Sequence, residues 1–251
     1  MARPSLLVTD LDGTLLGDEA ALEAFAAWHR DHRASVRLVY ASGRFCDSIV
    51  ESIERTALPD PDAVIGGVGT EIRAYPSGGP VVGLEPTPCG GFDGEEVRAK
   101  MAEISGARLQ PAEFQSALKV SFFLDCASEK TLADLENRLR AAGLSVDIIY
   151  SSSRDLDVVP AGVNKGTAAK RLADLWGYAA DQVMVSGDSA NDLSLFEQGF
   201  RGIVVAGAHA ELKALTDESV YQARQPFAAG VLEGVTHWWK ARDNEPARSS
   251  V

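Results

Sequence analysis

The chain has 251 residues, 45% hydrophobic and 24% charged, with a formal net charge of −12. That length and composition suit a globular protein built as one large α/β domain, or as a core carrying a smaller insertion. The negative charge argues against nucleic acid or an anionic membrane as partner, because both reward clustered Lys and Arg.

Ser5-Leu6-Leu7-Val8-Thr9-Asp10 is a short apolar run ending in a carboxylate, which predicts a strand buried on both faces. Residues 18–32 carry Leu22, Phe25 and Ala26 at helical spacing. A strand over Val36–Ala41, the turn Ser42-Gly43-Arg44, a helix to about Thr56 and a strand over Asp62–Gly67 follow. This β-α-β-α-β order predicts a doubly wound parallel sheet with right-handed crossovers.

A zone rich in breakers, from Pro76 to Gly91, marks a change of architecture. Between about 92 and 160 the expected order is helix, strand (Lys119–Leu124), helix (129–142), then strands over Val146–Tyr150 and Asp155–Val159 joined as an antiparallel hairpin. The expectation is an inserted α+β domain over 84–160, with 1–83 and 161–251 forming the core. The parallel pattern resumes with a helix over Lys165–Trp176, a strand over Gln182–Asp188 and a helix from Asn191. A strand over Gly202–Val205, a helix over 209–216, a short strand over Ser219–Gln222 and a helix over Ala228–Lys240 complete it. The polar tail from Arg242 is expected to fray.

No apolar run nears the roughly 20 residues that span a bilayer. Met1-Ala2-Arg3-Pro4 leads into the first strand without a signal-peptide pattern, so a soluble, cytoplasmic protein is expected. Cys46, Cys89 and Cys126 are far apart and odd in number, which fits free thiols.

Four stretches lie at strand C-termini or helix starts, the edge where open α/β sheets bind ligands. In Asp10-Leu11-Asp12-Gly13-Thr14, two carboxylates one residue apart are expected on the same side of an extended chain. One can attack phosphorus while the other protonates the leaving oxygen and later deprotonates water. Ser42-Gly43-Arg44 offers a hydroxyl and backbone N–H groups to an anion, or equally an ordinary helix cap. Lys165, after Asn164 and before Gly166, opens a helix against the dipole and so asks for an anion; a solvated surface lysine is the alternative. Gly187-Asp188-Ser189-Ala190-Asn191-Asp192 repeats the strand-then-carboxylate pattern, with Asp192 expected one helical turn beyond Asp188. Asp10, Asp188 and the backbone carbonyl of Asp12 would suit magnesium, with Asn191 and Asp192 supporting. Together the four stretches point to phosphoryl transfer. A phosphomutase on the same fold and a receiver-like domain that stores phosphate on Asp10 are the alternatives; the hydrolytic carboxylate Asp12 argues against the second.

In order and spacing, Asp10-x-Asp12-Gly13-Thr14, Ser42, Lys165 and Gly187-Asp188-x-x-Asn191-Asp192 resemble the four motifs of haloacid dehalogenase-like phosphatases, whose C2-type caps sit where the insertion falls. Gly67-Val68-Gly69-Thr70-Glu71-Ile72, Lys119-Val120-Ser121-Phe122 and the stretch from Ile149 to Gly166 are similar to the sucrose-phosphate phosphatase family, with mannosylfructose-phosphate phosphatases as near relatives. The resemblance implies a Rossmann-like core with a C2-type cap and a magnesium-dependent phosphatase acting on a disaccharide phosphate such as sucrose 6-phosphate. It implies Asp10 as nucleophile and Asp12 as general acid/base, with magnesium at Asp10, Asp12, Asp188 and Asp192. Thr14, Ser42, Gly43, Arg44, Lys119, Lys165 and Asn191 are the implied phosphate or substrate contacts. The implied partner is a small-molecule sugar phosphate, bound by a monomer or weak homodimer.

Overall fold

A computed structural model describes the backbone of residues 5–244 and side chains through residue 241. The expectation for the tail beyond residue 244 lies outside the described residues. The chain opens β1 (Ser5–Thr9), α1 (Glu19–His32), β2 (Val36–Ala41), α2 (Cys46–Arg55), β3 (Ala63–Gly66) and β4 (Glu71–Ala74). It continues α3 (Gly94–Met101), β5 (Arg108–Leu109), β6 (Val120–Phe123), α4 (Glu129–Ala141), β7 (Val146–Ser151) and β8 (Asp155–Pro160). It then runs α5 (Lys165–Leu175), β9 (Val183–Gly187), α6 (Leu193–Phe196), β10 (Arg201–Val204), α7 (Ala210–Lys213), β11 (Val220–Gln222) and α8 (Phe227–Asn244).

A seven-stranded sheet takes the order β11-β10-β9-β1-β2-β3-β4. Leu6, Leu7 and Val8 are fully buried, as the continuous apolar run requires of a central parallel strand; each side chain contributes about 1.5–3 kcal/mol by burial. Strand order reverses direction at β1, so right-handed crossovers place α1 and α2 on one face and α6 and α7 on the other. The last helix, α8, packs against α1. Trp238 is buried there and donates to the Gly202 carbonyl at 3.0 Å, while Trp239 lies against Trp28 with ring centres 5.4 Å apart.

One strand departs from the parallel expectation. β4 pairs antiparallel with β3, because only the tight Gly67–Gly69 turn joins them and a parallel return needs a dozen or more residues. The segment between the two halves forms a separate four-stranded antiparallel sheet in the order β5-β6-β8-β7. Its own core gathers Val97 and Met101 of α3, Leu135 and Leu139 of α4, and Val120, Phe122, Leu156 and Val158 of the sheet. The two-residue β5 carries too little pattern to be legible in advance.

Candidate active site

Register sets the site. Thr9 of β1 pairs with Tyr40 of β2 on one side and Ser186 of β9 on the other, so three strands end level. The residues just past those ends, Asp10, Ser42 and Asp188, therefore meet at one sheet edge. Asp10 continues the ladder by donating its N–H to the Ser186 carbonyl at 3.0 Å.

At the centre is Lys165, the first residue of α5 and fully buried. Its ammonium donates to Asp10 Oδ1 at 2.8 Å, Asn191 Oδ1 at 2.9 Å and Asp192 Oδ1 at 2.6 Å. An ammonium has three protons, and all three have acceptors here. The sequence asked for an anion to balance this lysine, and the protein supplies two carboxylates. The surface-lysine alternative is excluded by its burial.

Asp192 is also fully buried and curls back instead of continuing a helix from Asp188. A 3-10 turn over Ala190–Asp192 precedes α6, and Asp192 Oδ2 accepts from the N–H groups of Asp188 at 3.0 Å and Ser189 at 3.2 Å. A Cβ on Gly187 would lie 2.5 Å from Asp192 Cβ, so only glycine permits this approach. Asn191 Oδ1 additionally accepts from Ser189 Oγ at 3.2 Å.

Three carboxylates, Asp10, Asp188 and Asp192, each offer an oxygen within 4.8 Å of the others. Burial first, and then the charge of Asp192, push the Asp10 carboxyl up to about 8, although Lys165 pulls it down. The same two causes raise Asp188 to about 6, against the lowering influence of Lys165 and His209. Burial alone would lower the Lys165 ammonium, but Asp10 and Asp192 outweigh it and hold the lysine charged. Asp188 Oδ1 is buried without a hydrogen-bond partner. Crowded carboxylates, an orphaned oxygen and an all-oxygen donor set fit a hard divalent cation.

The Asp12 carboxylate is not among these clustered oxygens; the ligand expected from this residue is its backbone carbonyl. β1 ends at Thr9, and the N–H groups of Thr14, Leu15 and Leu16 all turn in to the Leu11 carbonyl. Asp12 stands at the start of this turn, bridged to Leu16. Its side chain is half-exposed and pairs with Arg44, whose other arm donates to Ser52 Oγ at 2.9 Å. Gly13 makes the turn at φ +81°, and a Cβ there would lie 2.3 Å from Asp188 Oδ2. Gly13→Ala is expected to be destabilised by about 1–2 kcal/mol of left-handed strain and to lose turnover as Asp188 is displaced. Thermal unfolding and phosphate release check this, and a fully active variant would contradict it.

Ser42 is buried, and its Oγ accepts from the Arg44 N–H at 3.1 Å. Gly43 sits beside Asn191, whose amide nitrogen is 3.6 Å from where a Gly43 Cβ would be. Thr14 is fully buried with its hydroxyl unpartnered. Lys119 bridges the smaller sheet and the loop after β2, donating to Asp157 Oδ1 and to the Gly43 carbonyl.

Two contributors escaped the sequence reading. His209, after β10, donates its backbone N–H to the Asp188 carbonyl at 2.7 Å; its non-metal spacing left no signal. The turn Gly67–Gly69 braces the Ser42 loop, with the Gly67 N–H on the Arg44 carbonyl at 2.8 Å and the Val68 N–H on the Ser42 carbonyl at 3.1 Å. Val68 holds φ 55° there, an uncommon setting for a β-branched residue. Its signal was the Gly-Val-Gly string itself.

The family model for Sucrose-6F-phosphate phosphohydrolase matches residues 3–239. The chain belongs to this family of haloacid dehalogenase-like phosphatases. It is 38% identical over 239 residues to the mannosylfructose-phosphate phosphatase of Agrobacterium fabrum, covering 93% of this chain and 96% of that one. It is 31% identical over 250 residues to sucrose-phosphatase 1 of Nicotiana tabacum, where 93% of this chain spans 59% of the longer plant protein. Among solved structures, the sucrose-phosphatase of Synechocystis sp. PCC6803 in complex with sucrose and phosphate superposes with a TM-score of 0.85 at 32% identity, covering 94% of this chain and 98% of that one. Family membership agrees with a mixed α/β core whose parallel strands carry the site on their C-terminal edge.

Proposed function

We propose that this family member is a magnesium-dependent phosphatase that hydrolyses a disaccharide phosphate such as sucrose 6-phosphate or mannosylfructose phosphate through an aspartyl-phosphate on Asp10. The observation that carries the reading is the gathering of Asp10 and Asp188, 178 residues apart in sequence, into one carboxylate cluster with Asp192, in which Lys165 holds Asp10 and Asp192.

Lys165 holds Asp10 Oδ1, which leaves the second oxygen of that carboxylate to attack phosphorus in line with the departing sugar oxygen. Asp12, held at the site's mouth by Arg44, gives a proton to that oxygen as the P–O bond breaks. It then takes a proton from the water that attacks the acyl phosphate, releasing inorganic phosphate and restoring Asp10. Ser42 and the neighbouring backbone bind the phosphate oxygens. Asp10 and Asp188 would hold magnesium directly, with the Asp12 backbone carbonyl as a third protein ligand. Asp192 contributes charge from behind, since both its oxygens already accept hydrogen bonds. When bound, the ion supplies positive charge that favours ionised carboxylates and offsets the phosphate.

Residues 84–160 form the cap in this reading, and its sheet reads the sugar. The relatives named for sucrose phosphate and mannosylfructose phosphate support a fructosyl disaccharide. No described helix is long and apolar enough to cross a membrane, and the expected setting is the cytoplasm. The test is phosphate release from sucrose 6-phosphate, mannosylfructose phosphate and simple hexose phosphates, each with magnesium and with chelator. The disaccharide phosphates should be preferred and the chelator should stop release until magnesium is restored. Preference for hexose phosphates would remove the substrate assignment and leave the reaction class intact.

A further inference from the structure

Lys119 is 3% exposed, and its carboxylate partner is Asp157, which is not one of the three clustered acids. The lysine directly precedes β6 in the smaller sheet, and its ammonium touches both halves of the molecule. On its own side it donates to Asp157 Oδ1 at 3.2 Å, a carboxylate oxygen also bound by Ser121 Oγ at 2.5 Å. On the other side it lies 5.0 Å from the centre of the Phe45 ring and 3.5 Å from the Gly43 carbonyl oxygen.

The Gly43 carbonyl belongs to the same peptide unit as the Arg44 N–H. In a trans peptide those two groups point in opposite directions. With the carbonyl turned to Lys119, the N–H points away from it and donates to Ser42 Oγ at 3.1 Å. That contact fills an acceptor position on the Ser42 hydroxyl and leaves its proton to donate elsewhere. A cation on the carbonyl also polarises the peptide and strengthens the N–H as a donor.

We propose that Lys119 is a positioning residue which, through the Gly43–Arg44 peptide, sets the Ser42 hydroxyl as a phosphate donor when the smaller sheet sits over the core. The inference rests on the reading of Ser42 as a phosphate ligand. Seating of the cap and grip on the phosphate become one event, because withdrawing Lys119 frees the peptide to turn. Asp157 keeps the ammonium aimed, and the Phe45 ring gives it an apolar wall on the core side.

The test is a double-variant cycle read by calorimetric titration with inorganic phosphate, in magnesium. Lys119→Met is expected to weaken phosphate binding roughly tenfold, the size of a lost charge-assisted hydrogen bond. Ser42→Ala should weaken it by a similar factor, and the double variant should bind no more weakly than Ser42→Ala alone. Lys119→Arg, which keeps a donor cation, should restore at least part of the affinity. Independent, multiplying losses would overturn the relay while leaving Ser42 as a phosphate ligand. Unchanged binding in Ser42→Ala would overturn both. If Lys119→Met does not fold, as judged by circular dichroism, Asp157→Asn takes its place in the cycle with the same expectations, since it leaves the ammonium unaimed.

Discussion

Replacing Lys165 with Met is expected to cost about 3–5 kcal/mol of stability and all measurable turnover. The side chain is of similar length and apolar, so the space stays filled and the loss is electrostatic. Asp192 would then be a buried charge with no cation beside it, Asp10 would be driven further towards its protonated form, and Asn191 Oδ1 would lose a donor. Breaking a buried ion pair from one side leaves the partner's desolvation uncompensated, which is worse than never having had the pair. Lys165→Arg should not restore function, because a planar fork cannot aim three protons at three converging acceptors in a space closed by packing. Urea denaturation gives the stability change and phosphate release gives the turnover. A Lys165→Met protein with wild-type stability would mean that Asp192 carries no charge that Lys165 has to balance in the folded state.

The same arrangement explains how much of the site was legible in the sequence. Strand-then-carboxylate patterns at Thr9-Asp10 and Gly187-Asp188 read correctly, because a central parallel strand must be apolar and its end must face the ligand edge. The smaller sheet was legible from its hairpin, since β7 and β8 are joined by a turn too short for any other pairing. What failed was local extrapolation past an element's end. Asp12 was expected beside Asp10, and its half-exposed carboxylate also pairs with Arg44, a partner that strand alternation does not predict. Asp192 was placed by helical spacing, but a 3-10 turn bends its carboxylate back onto Asp188 N–H. Lys165 was read against the helix dipole alone, whereas its partners come from two other strands' ends. Contacts of that kind depend on long-range register, which no short window of sequence contains.

The site also illustrates charge being concentrated against the protein's own stability. The chain is acidic overall, yet the fully buried Lys165 sits at the sheet's C-terminal edge, with Arg44 in the neighbouring Ser42 loop and Lys119 donating to that loop. Local positive groups held by packing can overcome an unfavourable net field at short range, because buried charges are screened far less than surface ones. Two buried carboxylates, Asp10 and Asp192, with the half-buried Asp188 beside them are costly without a further cation, and that cost is a reason for the site to take one up.

Asp10→Asn makes that cost measurable, since it should abolish turnover and leave the metal-free fold as stable or more so at neutral pH. The amide has no carboxylate to form an acyl phosphate, so a fall of at least about 10⁴-fold in kcat is expected. The stability effect follows from the raised carboxyl. With its folded value near 8 against an ordinary 3.8, Asp10 holds a proton in the folded chain that it releases in the unfolded one across the window between them. The native state then binds more protons, so its stability falls as pH rises through that window and is highest on the acid side. Asparagine cannot titrate, so the variant should lack this part of the slope and gain on wild type as pH climbs from 4 towards 8 in chelator. Magnesium should narrow the difference, because an ion bound to the wild-type carboxylates favours their ionised form. Thermal melts across pH, with and without magnesium, read all of this independently of activity. Parallel pH profiles for the two proteins would show that Asp10 is already ionised in the metal-free fold, with Lys165 alone sufficient to hold it so.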